Sequence, residues 1–253
     1  MKVLPARRLR AGLAIPAAFA LVAFVTFIGL GTWQIQRKAW KEGLIETLEQ
    51  RLSAAPIDLP PRERWASLDP TEDEFRHVKF PAALLSGSEA LVYAGGSALR
   101  SDVSGPGYWV FAPARLVAGG TVVVNRGFVP EGRQEEVVRS VDKMTGVVDM
   151  VGVMSWPQPR GAFSPNDEPG RNLWFVRDPV AIASAKGWGE IAPFFIELES
   201  PQPAGGLPRA GTLNVNLRNE HLQYAITWYG LAAVVVVMFA FWLRGRNQSA
   251  RQA

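Results

Sequence analysis

The chain has 253 residues, 48% hydrophobic and 20% charged, the balance of a globular protein whose membrane character, if any, is local. It has no cysteine, which excludes a disulfide framework, c-type haem attachment, thiolate metal sites and CxxC redox chemistry. The net charge is +4, much of the excess lies in the terminal tails, and no basic run is interleaved with stacking aromatics, which argues against a nucleic-acid partner.

In chain order, a basic tail (residues 1–11, with Lys2, Arg7, Arg8 and Arg10) leads into "AGLAIPAAFALVAFVTFIGLGTWQIQ", which carries no charge. A helix needs roughly 20 apolar residues to cross a bilayer core, so residues 12–34 are expected to form a first transmembrane helix. "AFA" at 18–20 resembles a signal-peptide cleavage site, but the apolar run continues to Trp33, so the segment reads as an uncleaved anchor. Residues 33–52 keep helical periodicity and continue that helix, until "SAAPIDLPP" breaks it.

From Phe75 the pattern turns to strands: "FRHVKFPAALL", "EALVYAGG", then "GPGYWVFAPARLV" and "TVVVNRGFVP" as a hairpin about Gly119-Gly120. "TGVVDMVGVMSW", "NLWFVRD" and "PFFIELES" are further strand candidates. "DPVAIASAKG" is a short helix with Asp178 as cap and Pro179 at its first position. Residues 157–172, with four prolines, form a long loop. The expected domain, residues 35–219, is α+β: an antiparallel sheet or small open barrel with accessory helices. Residues 220–243 form a second transmembrane helix, followed by a basic tail, 244–253, with Arg244, Arg246 and Arg251. Two short basic tails place both termini in the cytoplasm and the middle domain in the periplasm, or in the intermembrane space of a mitochondrion.

The middle domain offers no catalytic constellation. His77 is its single histidine, in a strand pattern and without a GxSxG elbow, and reads as structural or surface. The acidic clusters Glu72-Asp73-Glu74 and Asp167-Glu168 sit in loops, where carboxylates are normally solvated. The chain is therefore expected not to be an enzyme. At the head of the second helix, His221, Tyr224, Ala225 and Trp228 share one helical face, with Gln223 and Thr227 opposite and able to bond a neighbouring helix. Trp33, Gln34 and Arg37 lie at a similar depth on the first helix. An imidazole among aromatic walls, with cations (Arg37, Lys38 or Arg218) for propionates, suits haem; an ordinary interfacial histidine fits the same residues.

"GLGTWQIQRKAWKEGLI", "GPGYWVFAP", "VVVNRGFVP", "NLWFVRD" and "LRNEHLQYAITWYGLA", in that order between two apolar anchors, resemble the signature blocks of the Surfeit locus protein one family. The resemblance runs from about Gly29 to Trp242, departing at Phe128, where a Trp is usual, and at Glu220, where an Asn is common. It implies an assembly factor for an aa3-type cytochrome c oxidase in the bacterial inner membrane, binding haem a transiently and assisting its insertion into the catalytic subunit. The implied partners are that subunit, the haem a synthesis machinery and membrane lipid. It also implies that His221 is the axial ligand of the haem iron; Tyr224, Trp228, Trp33, Gln34 and Arg37 join the expected site from the helix reading above. The competing expectation is a cofactor-free membrane scaffold that stabilises an oxidase assembly intermediate.

Overall fold

The computed structural model describes residues 6–85, 87–96, 100, 102–135, 146–203, 205–213 and 219–252, with side chains from Leu13 to Ser249. Lys2 and Arg218, both named above for their charge, lie outside the described residues. The chain divides into two compact units, Met1–Ile45 with Arg218–Ala253, and Glu46–Leu217.

The first unit contains two helices, the bulk of α1 (Ala6–Ser53) and α4 (His221–Gln252). Both are long and apolar enough to cross a membrane. Their least exposed positions follow a 3.5-residue repeat: Ala17, Ala20, Phe24, Phe27, Gly31 and Gln34 on α1, and His221, Ala225, Trp228, Ala232, Val235 and Phe239 on α4. That repeat is the seam of a helix pair, and small residues along it let the backbones approach. The pairing is antiparallel: Gln34 meets His221, and Phe27 stacks on Trp228 at 5.7 Å between centroids. The closest approach is at Gly31, where a Cβ would stand 2.6 Å from the ring of Tyr229. Thr32 gives its hydroxyl proton to the Ile28 carbonyl at 2.9 Å, so the Tyr229 hydroxyl is the donor in their 3.2 Å contact. Gln223 and Thr227 do not reach a neighbouring helix through their paired groups: Thr227 Oγ1 donates to the Gln223 carbonyl of its own helix at 3.0 Å.

No break separates the apolar and charged parts of α1, which run as one helix to Ser53. The second unit continues through β1 (Ile57–Asp58), a 3-10 turn (Arg62–Ser67), α2 (Pro70–Asp73), β2 (His77–Leu84), β3 (Ala90–Ala94), β4 (Gly107–Leu116) and β5 (Thr121–Pro130). Then come β6 (Val147–Ser155), β7 (Leu173–Trp174), α3 (Pro179–Lys186) and β8 (Phe195–Ser200). The class is α+β. The Gly119-Gly120 turn joins β4 to β5, both glycines having the positive φ that side chains resist (94° and 89°). Asp178 caps α3 by accepting from the amides of Val180 (2.9 Å) and Ala181 (3.0 Å).

The strands form one sheet in the order β1-β2-β6-β8-β5-β4-β3-β7, and β2 also pairs with β4, from Ala82↔Leu116 to Leu84↔Ala114. That pairing closes β2, β6, β8, β5 and β4 into a small barrel, so the ring is shut rather than open. Three pairings are parallel, β1–β2, β3–β7 and β5–β8. Alternation along β8 builds two cores: Phe194 and Ile196 face Val78, Phe80, Met150 and Met154, whereas Phe195 faces Trp109, Phe111 and Ile182 beneath α3. His77 is structural, its Nδ1 lying 2.9 Å from the Ala54 carbonyl and its Nε2 2.9 Å from Glu199 Oε2.

Candidate functional site

His221 is the first residue of α4, so its ring stands at the open end of the helix-pair seam. Gln34, buried on the same seam of α1, places Oε1 2.7 Å from His221 Nδ1. An amide oxygen can only accept, so Nδ1 carries the proton and Nε2 is the nitrogen with a lone pair. Among the described residues, no hydrogen bond to Nε2 competes for that pair. One turn on, Ala225 is fully buried, and Trp228 stacks on Phe27 farther along the seam.

The other sequence-selected residues face elsewhere. Trp33 and Tyr224 point away from the seam and are about half exposed, at 50% and 53%. Arg37 is exposed, with its guanidinium 4.5 Å from the ring centroid of Trp40 on its own helix. Lys38 pairs with Glu42 one turn on, at 2.6 Å. The structure thus brings His221, Gln34 and Trp228 onto one seam and leaves Trp33, Arg37 and Tyr224 on outer faces.

The barrel holds a polar cluster that sequence reading missed. Arg177 pairs with Glu197, whose Oε2 also accepts from Asn125 Nδ2 at 2.6 Å. The guanidinium sits against Trp109, Phe111 and Phe195, with centroids 5.5, 6.0 and 5.1 Å away. Burial pushes Arg177 down to about 10, against the field of Glu74, which favours the charge. The nearby Arg126 is fully buried and 3.5 Å from Glu89, and burial lowers its pKa as well. The signal for such a cluster is charged residues inside strand patterns, Arg126 in "VVVNRGFVP" and Glu197 in "PFFIELES".

Fold and site define the class: one unit is a closed barrel, and the other is a pair of apolar helices that orients the imidazole of His221. Among the described residues there is no group of three or more His, Cys, Asp or Glu side chains able to hold a metal ion. The sequence profile of the SURF1 family matches residues 21–233. A SURF1-like protein of Monosiga brevicollis is 36% identical over 248 residues, covering 93% of this chain and 90% of that protein. Surfeit locus protein 1 of Homo sapiens is 37% identical over 236 residues, 87% of this chain and 75% of that protein. A SURF1-like protein of Drosophila melanogaster is 33% identical, over 85% of this chain and 73% of that protein. The chain belongs to the SURF1 family.

Proposed function

We propose that this protein is an assembly factor for an aa3-type cytochrome c oxidase, a binding protein and not an enzyme, which holds haem a on His221 and assists its insertion into the catalytic subunit. The family supports the oxidase as destination. The observation that carries the haem reading is the 2.7 Å contact between Gln34 Oε1 and His221 Nδ1. Ligating histidines characteristically donate their second ring N–H to a fixed acceptor, which sets the tautomer and aims the other nitrogen at the metal. A bound haem iron would supply a Lewis-acid centre for that imidazole.

The chain's own residues do the rest. Gln34 holds the proton at Nδ1, while Ala225 and the Phe27–Trp228 stack keep the ring from sinking into the seam. Trp33, Tyr224 and Arg37 stand on outer faces, away from the His221 seam, and enter this reading only as the aromatic surface and the cation that a haem extending past the seam would meet. The two apolar helices lie in a bacterial inner membrane with both termini cytoplasmic, by the basic tails, and the barrel works in the periplasm. The partners are the catalytic subunit and the machinery that makes haem a.

The test is the visible spectrum of protein purified from cells able to make haem a, for wild type and His221→Ala. Wild type is expected to carry an a-type haem that the variant loses or binds with an altered spectrum. A colourless wild type whose loss still blocks oxidase assembly would sink the haem reading and leave a cofactor-free scaffold.

A further inference from the structure

We propose that a cavity at the edge of β3 is a binding site for an extended polypeptide segment bearing an aromatic side chain. The cavity exists because a strand pairing stops short. β3 pairs with β7 only through Leu91↔Leu173 and Val92↔Trp174, while β3 itself runs on to Tyr93 and Ala94, held on the other side by Tyr108 and Gly107 of β4. Past Trp174 the chain leaves the sheet: the Phe175 amide donates to Asp167 Oδ1 at 2.7 Å, and the Arg177 carbonyl accepts from the Gln158 amide at 3.4 Å. The Val92↔Trp174 pair still occupies the Tyr93 amide, and Ala94 turns toward β4, so among the described residues the free group on this edge is the Tyr93 carbonyl. The space left is about 380 Å³, open to solvent, with Trp109 lining it and Gln158 and Ser164 at the far wall. That lies at the small end of ligand sites, ~300–1,000 Å³, and suits a few residues of chain.

The lining selects the occupant. Arg177 is the one charged side chain at the wall, and Glu197 already neutralises it, with Glu74 close enough to add to that field. A phosphate or lipid headgroup therefore finds no spare positive charge. An acyl chain fails for the opposite reason, since it would strip water from Gln158 and Ser164 and give nothing back. A peptide meets both demands. One of its amides donates to the Tyr93 carbonyl, others meet the two polar side chains, and its ring packs on the Tyr93–Phe175 pair, whose centroids are 6.0 Å apart. Tyr93 is 41% exposed, so this face is accessible.

The rim adds an independent observation. Phe163 is 100% exposed, on the same loop that contributes Ser164 to the wall. That loop is not slack: Gly161 and Ser164 bond to each other both ways, and Arg160 reaches the Pro165 carbonyl and Asp167. Beside the cavity, that ring is available to a bound segment. The proposal does not rest on His221 or on haem.

The probe is a set of blocked pentapeptides, Thr-Val-X-Val-Thr with X as Phe, Tyr, Trp or Ala, carrying a fluorescent label and titrated by polarisation against the full-length protein in detergent. Saturable binding is expected for the aromatic peptides. N-methylation of alternate amides should weaken it about tenfold, the scale of one or two lost hydrogen bonds. Ser164→Trp, which fills the cavity from a loop, should abolish binding while far-ultraviolet circular dichroism and a cooperative thermal transition are retained. Phe163→Ala should cost about two- to tenfold, the worth of one aromatic contact. If no aromatic peptide binds at millimolar concentration, or Ser164→Trp binds as wild type does, the site is not there. If N-acetyltyrosine amide binds as tightly as the pentapeptide, or N-methylation has no effect, strand pairing is wrong and the proposal is overturned.

Discussion

Glu197 Oε2 accepts a hydrogen bond from Asn125 Nδ2 at 2.6 Å while the same carboxylate meets the guanidinium of Arg177. The parallel register of β5 and β8 puts Asn125 opposite Glu197, so the contact is a product of strand pairing. Buried pairs of this kind contribute little relative to an apolar replacement, but breaking one partner is costly because it leaves a bare charge. Arg177→Ala is expected to destabilise the barrel by about 3–5 kcal/mol. Arg177→Met combined with Glu197→Gln is expected to recover most of that loss. Urea titration of the three proteins, followed by tryptophan fluorescence, checks both statements.

Acid should act elsewhere. Arg100 grips Asp102 through two hydrogen bonds, Nε to Oδ1 at 2.7 Å and Nη2 to Oδ2 at 2.6 Å, and these hold the Asp102 carboxyl below its ordinary value. A carboxyl lowered in the folded state binds fewer protons there than in the unfolded chain. Its contribution is fully present above the unfolded value of about 3.9 and fades as pH falls through the lowered folded value. The stability gap between wild type and Asp102→Asn should therefore be constant from pH 5 to 8 and shrink below about pH 4. A gap that widens in acid would contradict this assignment.

Gln34 is expected to control how well His221 binds. Gln34→Leu removes the acceptor at Nδ1 and should weaken haem binding about 10–100-fold, the usual effect of losing such an outer partner. Gln34→Glu keeps an acceptor at that place and should bind more strongly than Gln34→Leu. Spectrophotometric titration with haem measures the order directly, with His221→Ala as the floor.

Two glycines with positive φ should respond very differently to alanine. At Gly127 (φ 122°) a Cβ would stand 2.2 Å from the Arg209 backbone, inside the Phe128–Arg209 bridge. Gly127→Ala is expected to cost more than about 3 kcal/mol, because strain and collision add. At Gly119 (φ 94°) nothing lies within 4 Å, so Gly119→Ala should cost only the backbone term, about 1–3 kcal/mol. Thermal midpoints in detergent will separate the two.

The elements visible in the sequence are those with a local cause. The Gly119-Gly120 hairpin, the Asp178-capped helix and the two charge-free helices each carry their signal within a few residues. Gln34 and His221 could be placed at a similar depth because both sit at ends of apolar runs. That they touch is set by seam packing across most of the chain's length, which no local pattern encodes. The β2–β4 closure and the parallel β5–β8 pairing leave no local trace either, since neither uses a turn. Arg177 escaped notice for a related reason: it sits in "NLWFVRD", at the end of a strand pattern, where a cation ordinarily faces water. Its partner Glu197 arrives on a strand that had to be threaded between two others.

β8 is the last strand among the described residues, and it lies between β6 and β5. A polypeptide made from the N-terminus therefore carries two unpaired strand edges until Phe195–Ser200 has been delivered. Until then Arg177 lacks both its partner Glu197 and the covering ring of Phe195, and the ring that β2 and β4 close cannot be completed. Every shortened product ending before that strand keeps those edges open. Such chains expose the surfaces on which aggregation begins and which proteases read as unfinished. Arrival of β8 is thus the step that closes the barrel.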